Sequence, residues 1–219
     1  MGNEIDLLTN YPKTNRNVKE RGQTKTEEDR SIARQFGKDF FDGDRRHGYG
    51  GYNYHSRFWQ PVVPTFQARY GLNSQSKVLD VGCGKGFMLY DFTLLIPGID
   101  VQGVDVSTYA IENGHPHVKP FLHVANATAL PYPDKSFDLV IAINTVHNLE
   151  RRELIQALQE IERVSRGPSY ITIDAYRNEE EKALMHAWNL TAKTILHVDE
   201  WKDLFQEAGY TGDYYWFIP

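Results

Sequence analysis

Cysteine is almost absent from the sequence, which has one cysteine, Cys83, among 219 residues. A single cysteine cannot close a disulfide within the chain, so no covalent cross-link is expected to stabilise the fold. No apolar run approaches the ~18 residues of a membrane-spanning helix. The first residues carry charge from Glu4 onward, so we expect no signal peptide. These features together predict a cytoplasmic protein with no membrane contact.

An excess of positive charge is also missing. Lys and Arg number 24 against 29 Asp and Glu, which leaves a net charge of −5. Proteins that bind nucleic acid need basic surfaces for phosphate contacts, so the composition favours a small-molecule substrate over DNA or RNA. The His, Cys and acidic residues lack the compact spacing of a metal site, and no metal is expected.

The N-terminal region divides into an arm and a lid. Residues 1–25 are polar and predict a flexible arm, which would allow a homodimer. Thr26 has the character of a helix cap, because acidic residues follow it. Ile32, Phe36 and Phe40 recur at a spacing of four, so we predict a helix from this cap to Gly43.

Glycine and tyrosine then alternate in a segment that contains Tyr49, Tyr52 and Tyr54. This composition predicts a loop, and tyrosine rings can line a sugar-sized pocket or enclose a methylated cation. We predict that residues 26–72 form a helical lid that closes over a ligand, with at least one of these tyrosines in contact with the substrate. The alternative is that the rings only pack the lid onto the core.

From residue 73 to 219 the pattern alternates between apolar strands and amphipathic helices, which predicts an α/β domain with a doubly wound, mostly parallel sheet. In such sheets the ligand lies beyond the carboxyl ends of the strands. This rule gathers at one crevice the segments that follow the predicted strands: Asp80–Gly86, Asp105–Ser107, Asn126–Thr128, Asn144–Asn148 and Asp174–Arg177.

Gly82, Gly84 and Gly86 follow a strand and open a helix. Glycines let a ligand lie close to the backbone, and a helix start attracts a carboxylate or a phosphate, so a nucleotide-like cofactor is indicated. The fingerprint of nicotinamide enzymes, G-x-G-x-x-G/A, would need glycine or alanine where Phe87 stands. This spacing disfavours an NAD-dependent oxidoreductase, which we keep as a weaker alternative.

The segment Leu79-Asp80-Val81-Gly82-Cys83-Gly84-Lys85-Gly86 resembles the first motif of class I S-adenosylmethionine (SAM)-dependent methyltransferases. Asp105, Asn126-Ala127-Thr128 and the run from Leu130 to Val140 follow in the order of that family, so the resemblance covers about residues 77–148. It implies SAM as cofactor and S-adenosylhomocysteine as product. The family closes its sheet with an antiparallel hairpin, whereas only one strand is predicted after Gly209. We therefore predict six strands, the last of them antiparallel.

In this family the glycine loop packs against the methionine part of SAM, and the acid at the end of the first strand lies near its amino group. Asp105 would accept hydrogen bonds from the ribose hydroxyls, and Asn126 stands where the family has an aspartate near the adenine. The resemblance thus implies a set of cofactor-binding residues: Asp80, Gly82, Cys83, Gly84, Gly86, Asp105, Val106, Ser107, Asn126, Ala127, Thr128 and Asn144.

His147 is the candidate general base, because it follows the fourth predicted strand and histidine titrates near neutral pH. A helix-cap or packing role is the alternative for this side chain. Asp174 and Tyr176 end the fifth predicted strand and are expected on the substrate side, although Asp174 could equally be a buried acid that stabilises a loop. The sequence after the fourth strand lacks an Asn-Pro-Pro-Tyr signature, which argues against methylation of adenine or glutamine amino groups.

The function predicted is methyl transfer to an oxygen or nitrogen atom of a small polar metabolite, such as a sugar, an amino sugar or a secondary-metabolite intermediate. A second hypothesis from a different class is a non-catalytic subunit that binds SAM. Turnover separates the two, since such a subunit would bind SAM without methylating any acceptor.

Overall fold

The computed structural model describes residues 2–13 and 25–218, and within them seven strands form one sheet. They are β1 Lys77–Val81, β2 Asp100–Asp105, β3 Leu122–Val124, β4 Leu139–Ile143, β5 Ser169–Tyr176, β6 Leu196–His197 and β7 Asp213–Phe217. The order is β3-β2-β1-β4-β5-β6, and β7 also pairs with β5. The doubly wound α/β prediction is confirmed, and the strand order reverses between β1 and β4, which is where such sheets bind ligands.

The predicted count of six strands, with the last antiparallel, is wrong. The extra strand is β6, which has only two residues and gave no strand signal in the sequence. The last strand, β7, runs parallel to β5, with Tyr170 paired with Asp213 and Asp174 with Phe217. A helix lies between β6 and β7 and carries the chain back across the sheet. A helical crossover joins parallel strands, whereas a hairpin joins antiparallel ones, so β7 runs in the same direction as β5.

Nine helices lie in the described residues: α1 Glu27–Ala33, α2 Lys38–Asp42, α3 Ser56–Trp59, α4 Val63–Tyr70, α5 Phe87–Leu95, α6 Thr108–Glu112, α7 Arg151–Val164, α8 Glu179–Trp188 and α9 Val198–Ala208. Two buried clusters cover the sheet. One contains Leu154, Leu158 and Ile161 of α7 together with Leu204 and Phe205 of α9. The other joins α4 and α5 to the sheet, and in both clusters an apolar stripe of each helix faces the strands.

None of the helices in the described ranges combines the length and apolar character needed to cross a membrane.

The lid is more broken than its apolar spacing predicted. Thr26 does cap α1, and it forms a capping box with Asp29. The helix ends at Ala33, and it does not continue into α2, because Phe36 adopts a positive φ of 49° and Gly37 is the N-cap of α2. The second predicted helix of the lid is interrupted between α3 and α4, where Pro61 lacks the N–H that an uninterrupted helix would use.

Residues 2–13 were predicted to belong to a flexible arm, but within them the stretch from Asn3 to Leu7 packs against the edge of the sheet. The Ile5 N–H donates to the main-chain oxygen of Tyr214 at 2.9 Å, and the Tyr214 N–H donates to that of Asn3 at 3.0 Å. Leu7 is 4% exposed. This segment therefore extends the sheet beyond β7, and the rest of the predicted arm, residues 14–24, lies outside the described residues.

Replacement of Leu7 tests whether this segment contributes to stability. Leu7→Ala removes a buried side chain and leaves a cavity, so we expect the free energy of unfolding in urea to fall by about 2–4 kcal/mol. Thr9→Ala, at an exposed position of the same segment, is the matched control and should change it by less than about 0.5 kcal/mol. Equal effects of the two substitutions would mean that the segment is not packed in solution.

Candidate functional site

The glycine loop between β1 and α5 is fixed by hydrogen bonds to the end of β2. The N–H groups of Gly82 and Cys83 donate to the main-chain oxygen of Val104 at 2.7 and 3.0 Å. The Gly84 N–H donates to Oδ2 of Asp105 at 2.8 Å. Gly82 and Gly84 have φ values of +83° and +55°, in the left-handed region that favours glycine. A Cβ at Gly82 would overlap the side chain of Thr145, so the loop also lies directly against the turn after β4.

Two carboxylates lie beside this loop at the carboxyl ends of neighbouring strands. Asp105 also accepts the Ser107 N–H on Oδ1 at 2.8 Å, and burial raises the pKa of its carboxyl group. Asp80 is 5% exposed. Burial, and then the charge of Asp105, raise the pKa of Asp80 to about 7. Asp80 is buried and Asp105 is half-buried, and within residues 2–13 and 25–218 neither acid forms an ion pair with a cationic side chain, so this site would attract a ligand ammonium group.

The described residues fit SAM at this edge. An ammonium group suits the Asp80 carboxylate, and Asp105 keeps acceptor capacity for hydroxyl groups because each of its oxygens has two lone pairs. The start of α5 has no side-chain cap, which leaves its N–H groups for a carboxylate. Next to Asp105, Val106 is 57% exposed and offers an apolar face to a planar ring.

The other predicted cofactor residues lie at the same edge of the sheet. The Asn126 Oδ1 accepts the Thr128 N–H at 3.0 Å, which folds the chain into a turn after β3, and Ala127 lies between them. Asn144 follows β4 with a positive φ of 52°. Its Oδ1 accepts the Thr172 hydroxyl at 2.9 Å, so this oxygen is engaged by β5.

The lid packs on the glycine loop, and Lys85 binds it there through an ion pair and a hydrogen bond. The Lys85 Nζ donates to Oδ2 of Asp42 at 2.7 Å and to the main-chain oxygen of Tyr52 at 2.8 Å. Tyr109 donates its hydroxyl to the same Asp42 oxygen at 2.7 Å. The side chains of Lys85 and Asp42 are 7% and 23% exposed, so this ion pair is partly shielded from water. The sequence did not reveal this cluster, since no spacing rule connects Asp42 with Lys85.

The three tyrosines of the lid have different surroundings. The Tyr52 ring stacks on Phe87 with 4.9 Å between centroids, and a Cβ on Gly84 would lie 3.3 Å from Tyr52 Cε1. Tyr49 lies beside Tyr52, with 4.3 Å between ring centroids, and is 45% exposed. The Tyr54 hydroxyl instead donates to Asp91 at 2.7 Å, which ties the lid to α5. Of the three tyrosines, Tyr52 is thus the one placed directly over the loop, beside Phe41, whose Cε1 would lie 3.5 Å from a Cβ on Gly84.

His147 is buried in the 3₁₀ turn that follows β4. Its Nδ1 accepts the Asp174 N–H at 3.0 Å, and burial lowers the pKa of the ring. A neutral ring that accepts on Nδ1 carries its proton on Nε2, so Nε2 is a donor. This geometry argues against the predicted role of general base and favours a hydrogen-bond donor.

Asp174 and Tyr176 end β5, as predicted, but differ in their surroundings. The main-chain oxygen of Asp174 accepts the Trp201 Nε1–H at 3.0 Å, while its Oδ1 lies 3.8 Å from Nδ1 of His147. Burial raises the pKa of the Asp174 carboxyl. The Tyr176 ring is buried, and its centroid lies 5.7 Å from that of His197. Of the two, Asp174 is the one beside the turn that carries His147.

A model of a methyltransferase domain matches residues 72–209, which include the glycine loop and both carboxylates. The chain belongs to this methyltransferase family, and its fold and motif are those of the class I SAM-dependent enzymes. The resemblance predicted from the sequence is therefore confirmed, and the family implies SAM as the methyl donor.

Two curated relatives and one solved structure show the range of this likeness. The malonyl-[acyl-carrier protein] O-methyltransferase of Legionella pneumophila is 28% identical over 132 residues, which are 58% of this chain and 45% of the relative. The phosphoethanolamine N-methyltransferase 1 of Arabidopsis thaliana is 30% identical over 138 residues, 57% of this chain and 27% of the relative. The chain thus spans less than half the length of both. The [4+2]-cyclase SpnF has the same fold at a TM-score of 0.55 and 19% identity, covering 78% of this chain and 61% of that one.

Binding of SAM is expected to depend on the protonation of Asp80. Its pKa of about 7 means that the carboxylate which suits an ammonium group forms only as the pH rises through 7. Calorimetric titration between about pH 5.5 and 8 should show affinity rising with pH, by up to about tenfold per unit below 7. In the free protein the folded state binds the Asp80 proton more tightly than the unfolded state, whose aspartate has a pKa of 3.8. The resulting contribution to the free energy of unfolding is present below pH 3.8 and is lost as the pH rises through about 7.

Asp80→Asn should weaken the binding of SAM and flatten this pH profile. The matched control is Asp203→Asn, an exposed aspartate on α9, which should keep the profile of the unmodified chain. The same pH dependence in both variants would show that Asp80 does not titrate with the cofactor.

The fastening of the lid is tested by Lys85→Met, which keeps the length of the side chain and removes its charge. Amide hydrogen exchange over residues 37–54 should accelerate by about tenfold or more, because a partly shielded ion pair and a hydrogen bond are lost. Lys77→Met breaks a half-exposed pair with Asp100 and should leave exchange in the lid unchanged. Unchanged exchange in both variants would show that Lys85 does not hold the lid.

Proposed function

We propose that this protein transfers the methyl group of SAM to an oxygen or nitrogen atom of a small polar metabolite. The proposal rests on one observation: the glycine loop, Asp80 and Asp105 lie together at the carboxyl ends of β1 and β2, and Tyr52 covers them. The named relatives include an O-methyltransferase and an N-methyltransferase, which supports these two acceptor atoms.

The cofactor supplies an electrophilic methyl group on a sulfonium. We assign the glycine loop to the methionine part, Asp80 to its ammonium group, and Asp105 to the ribose hydroxyls. Val106 and the turn Asn126–Thr128 would border the adenine. Each group has a physical reason for its place, since charge, hydroxyl acceptors and apolar surface lie next to one another along the ends of β1, β2 and β3.

The acceptor would lie on the other side of the loop, near the ends of β4 and β5. His147 can donate a hydrogen bond from Nε2 and so orient an acceptor oxygen or nitrogen. Asp174 has a raised pKa, which makes its carboxylate a better proton acceptor than an ordinary one. We therefore assign proton removal to Asp174 and positioning to His147, with Tyr49 and Tyr52 closing the site against water.

The test combines SAM binding with turnover. Incubation of the protein with methyl-labelled SAM and a panel of small hydroxyl and amino compounds should label at least one compound. Asp105→Asn should weaken SAM binding by about tenfold or more, since it removes a charged acceptor. Asp174→Asn should keep SAM affinity and lower turnover by about a hundredfold.

Three outcomes would contradict the proposal. Binding of SAM without transfer to any compound of the panel would favour the non-catalytic subunit. Label found only in protein or RNA would remove the small-molecule acceptor. Tight binding of NAD without binding of SAM would favour an oxidoreductase.

A further inference from the structure

A cavity of about 360 Å³ lies between the lid and the segment that follows α8. Its lining consists of Arg34, Glu150, His186, Asn189, Ala192, Lys193 and Ile195. Arg34 is the C-cap residue that follows α1, so the lid supplies one wall. The volume is within the ~300–1,000 Å³ of sites for small molecules.

The opposite wall is attached to the turn that carries His147. The N–H groups of Lys193 and Thr194 both donate to the main-chain oxygen of His147 at 3.0 Å. The Thr194 hydroxyl donates to that of Leu149 at 2.7 Å. The same turn places Thr145 against Gly82. The cavity wall is thus joined by hydrogen bonds to the turn after β4, and this turn itself packs against the glycine loop.

The charge of this lining is positive, although the whole chain has a net charge of −5. Arg34 and Lys193 contribute two cations against one acid, Glu150. Glu150 is 66% exposed and lies 3.8 Å from Lys193, so it screens that lysine only weakly.

Arg34 has unused hydrogen-bonding capacity. Among the described residues, its Nε–H is buried and has no hydrogen-bond partner. A guanidinium group presents five N–H donors in a planar fork that matches the oxygens of a carboxylate or a phosphate. A cationic lining that contains a guanidinium group is therefore suited to an anion rather than to a neutral sugar.

We propose that this cavity binds an acidic group of the methyl acceptor, a carboxylate or a phosphate, with Arg34 as its main contact and Lys193 as the second. The inference rests on the proposed function, and it narrows the acceptor to a small anionic metabolite. The acidic group would be held at the lid, while the atom to be methylated extends towards the turn of His147. Because Arg34 belongs to the lid, binding of the acid would also draw the lid onto the site.

The test follows the Arg34 Nε–H signal by NMR of the full ¹⁵N-labelled chain, saturated with S-adenosylhomocysteine. Succinate and inorganic phosphate are the anionic probes, and succinamide is the neutral control. We expect a saturable shift of the Arg34 signal with at least one anion and none with succinamide. The tighter of the two anions identifies the acidic group. Arg34→Gln should weaken that anion at least tenfold, and Arg166→Gln, at a surface pair with Asp138, should not weaken it.

A second arm compares methyl transfer from labelled SAM to hydroxy acids and to their amides. The acids should be preferred at least tenfold by the unmodified chain and not by Arg34→Gln. The inference is overturned if neither anion shifts the Arg34 signal, if Arg34→Gln binds the anion equally well, or if amides are methylated as fast as acids. SAM binding and turnover without anion binding would overturn this inference alone. Anion binding without SAM binding would overturn the proposed function, and with it the assignment of the anion to a methyl acceptor.

Discussion

The Asp105 carboxylate, which accepts the N–H groups of Gly84 and Ser107, is the interaction on which the rest of the site depends. It ties the glycine loop after β1 to the end of β2, and so closes one side of the crevice. The same contact brings a second acid towards Asp80, whose carboxyl is already buried. Both oxygens of Asp105 remain able to accept further hydrogen bonds, because each of the two N–H groups uses one lone pair. One carboxylate can thus shape the loop and also meet a ligand hydroxyl.

The loop also carries the lid. Lys85 is one of its residues, and its contacts with Asp42 and Tyr52 fix the lid where the methionine part of SAM is expected. Under the proposed function, a cofactor that enters or leaves would act on the loop and the lid together, and binding would then be coupled to closure. On the far side, Arg34 at the end of α1 places the lid over the cationic cavity. The same short region would then respond to both the methyl donor and an acidic acceptor.

Some features of the fold and of the site could be predicted from the sequence because they depend on local residue patterns. The buried strand β4, the amphipathic helix α7 and the glycine loop each follow from residue spacing. The position of Asp105 follows from the rule that strand ends meet at one edge. The direction of β7 did not follow, because it was inferred from the hairpin of relatives, and a helical crossover leaves the strand parallel.

Long-range contacts were also beyond the sequence. The pairing of Lys85 with Asp42 and the hydrogen bond from Asp174 to His147 join residues that are distant in the chain. The second of these engages Nδ1 of His147 as an acceptor, which spacing cannot reveal, and it is the reason for the hydrogen-bond donor role that we propose for this ring. The packing of residues 2–7 beside β7 was missed for the same reason, since a few apolar side chains in a polar segment carry no periodic signal.

A crystal structure of the protein with S-adenosylhomocysteine would test most directly whether Asp80, Asp105 and the glycine loop hold the cofactor. We expect the ribose hydroxyls to bind Asp105 and the amino group to lie beside Asp80. The methionine part should lie along Gly82 to Gly86, under Tyr52. A ligand bound elsewhere, or one whose ribose makes no contact with Asp105, would contradict this expectation.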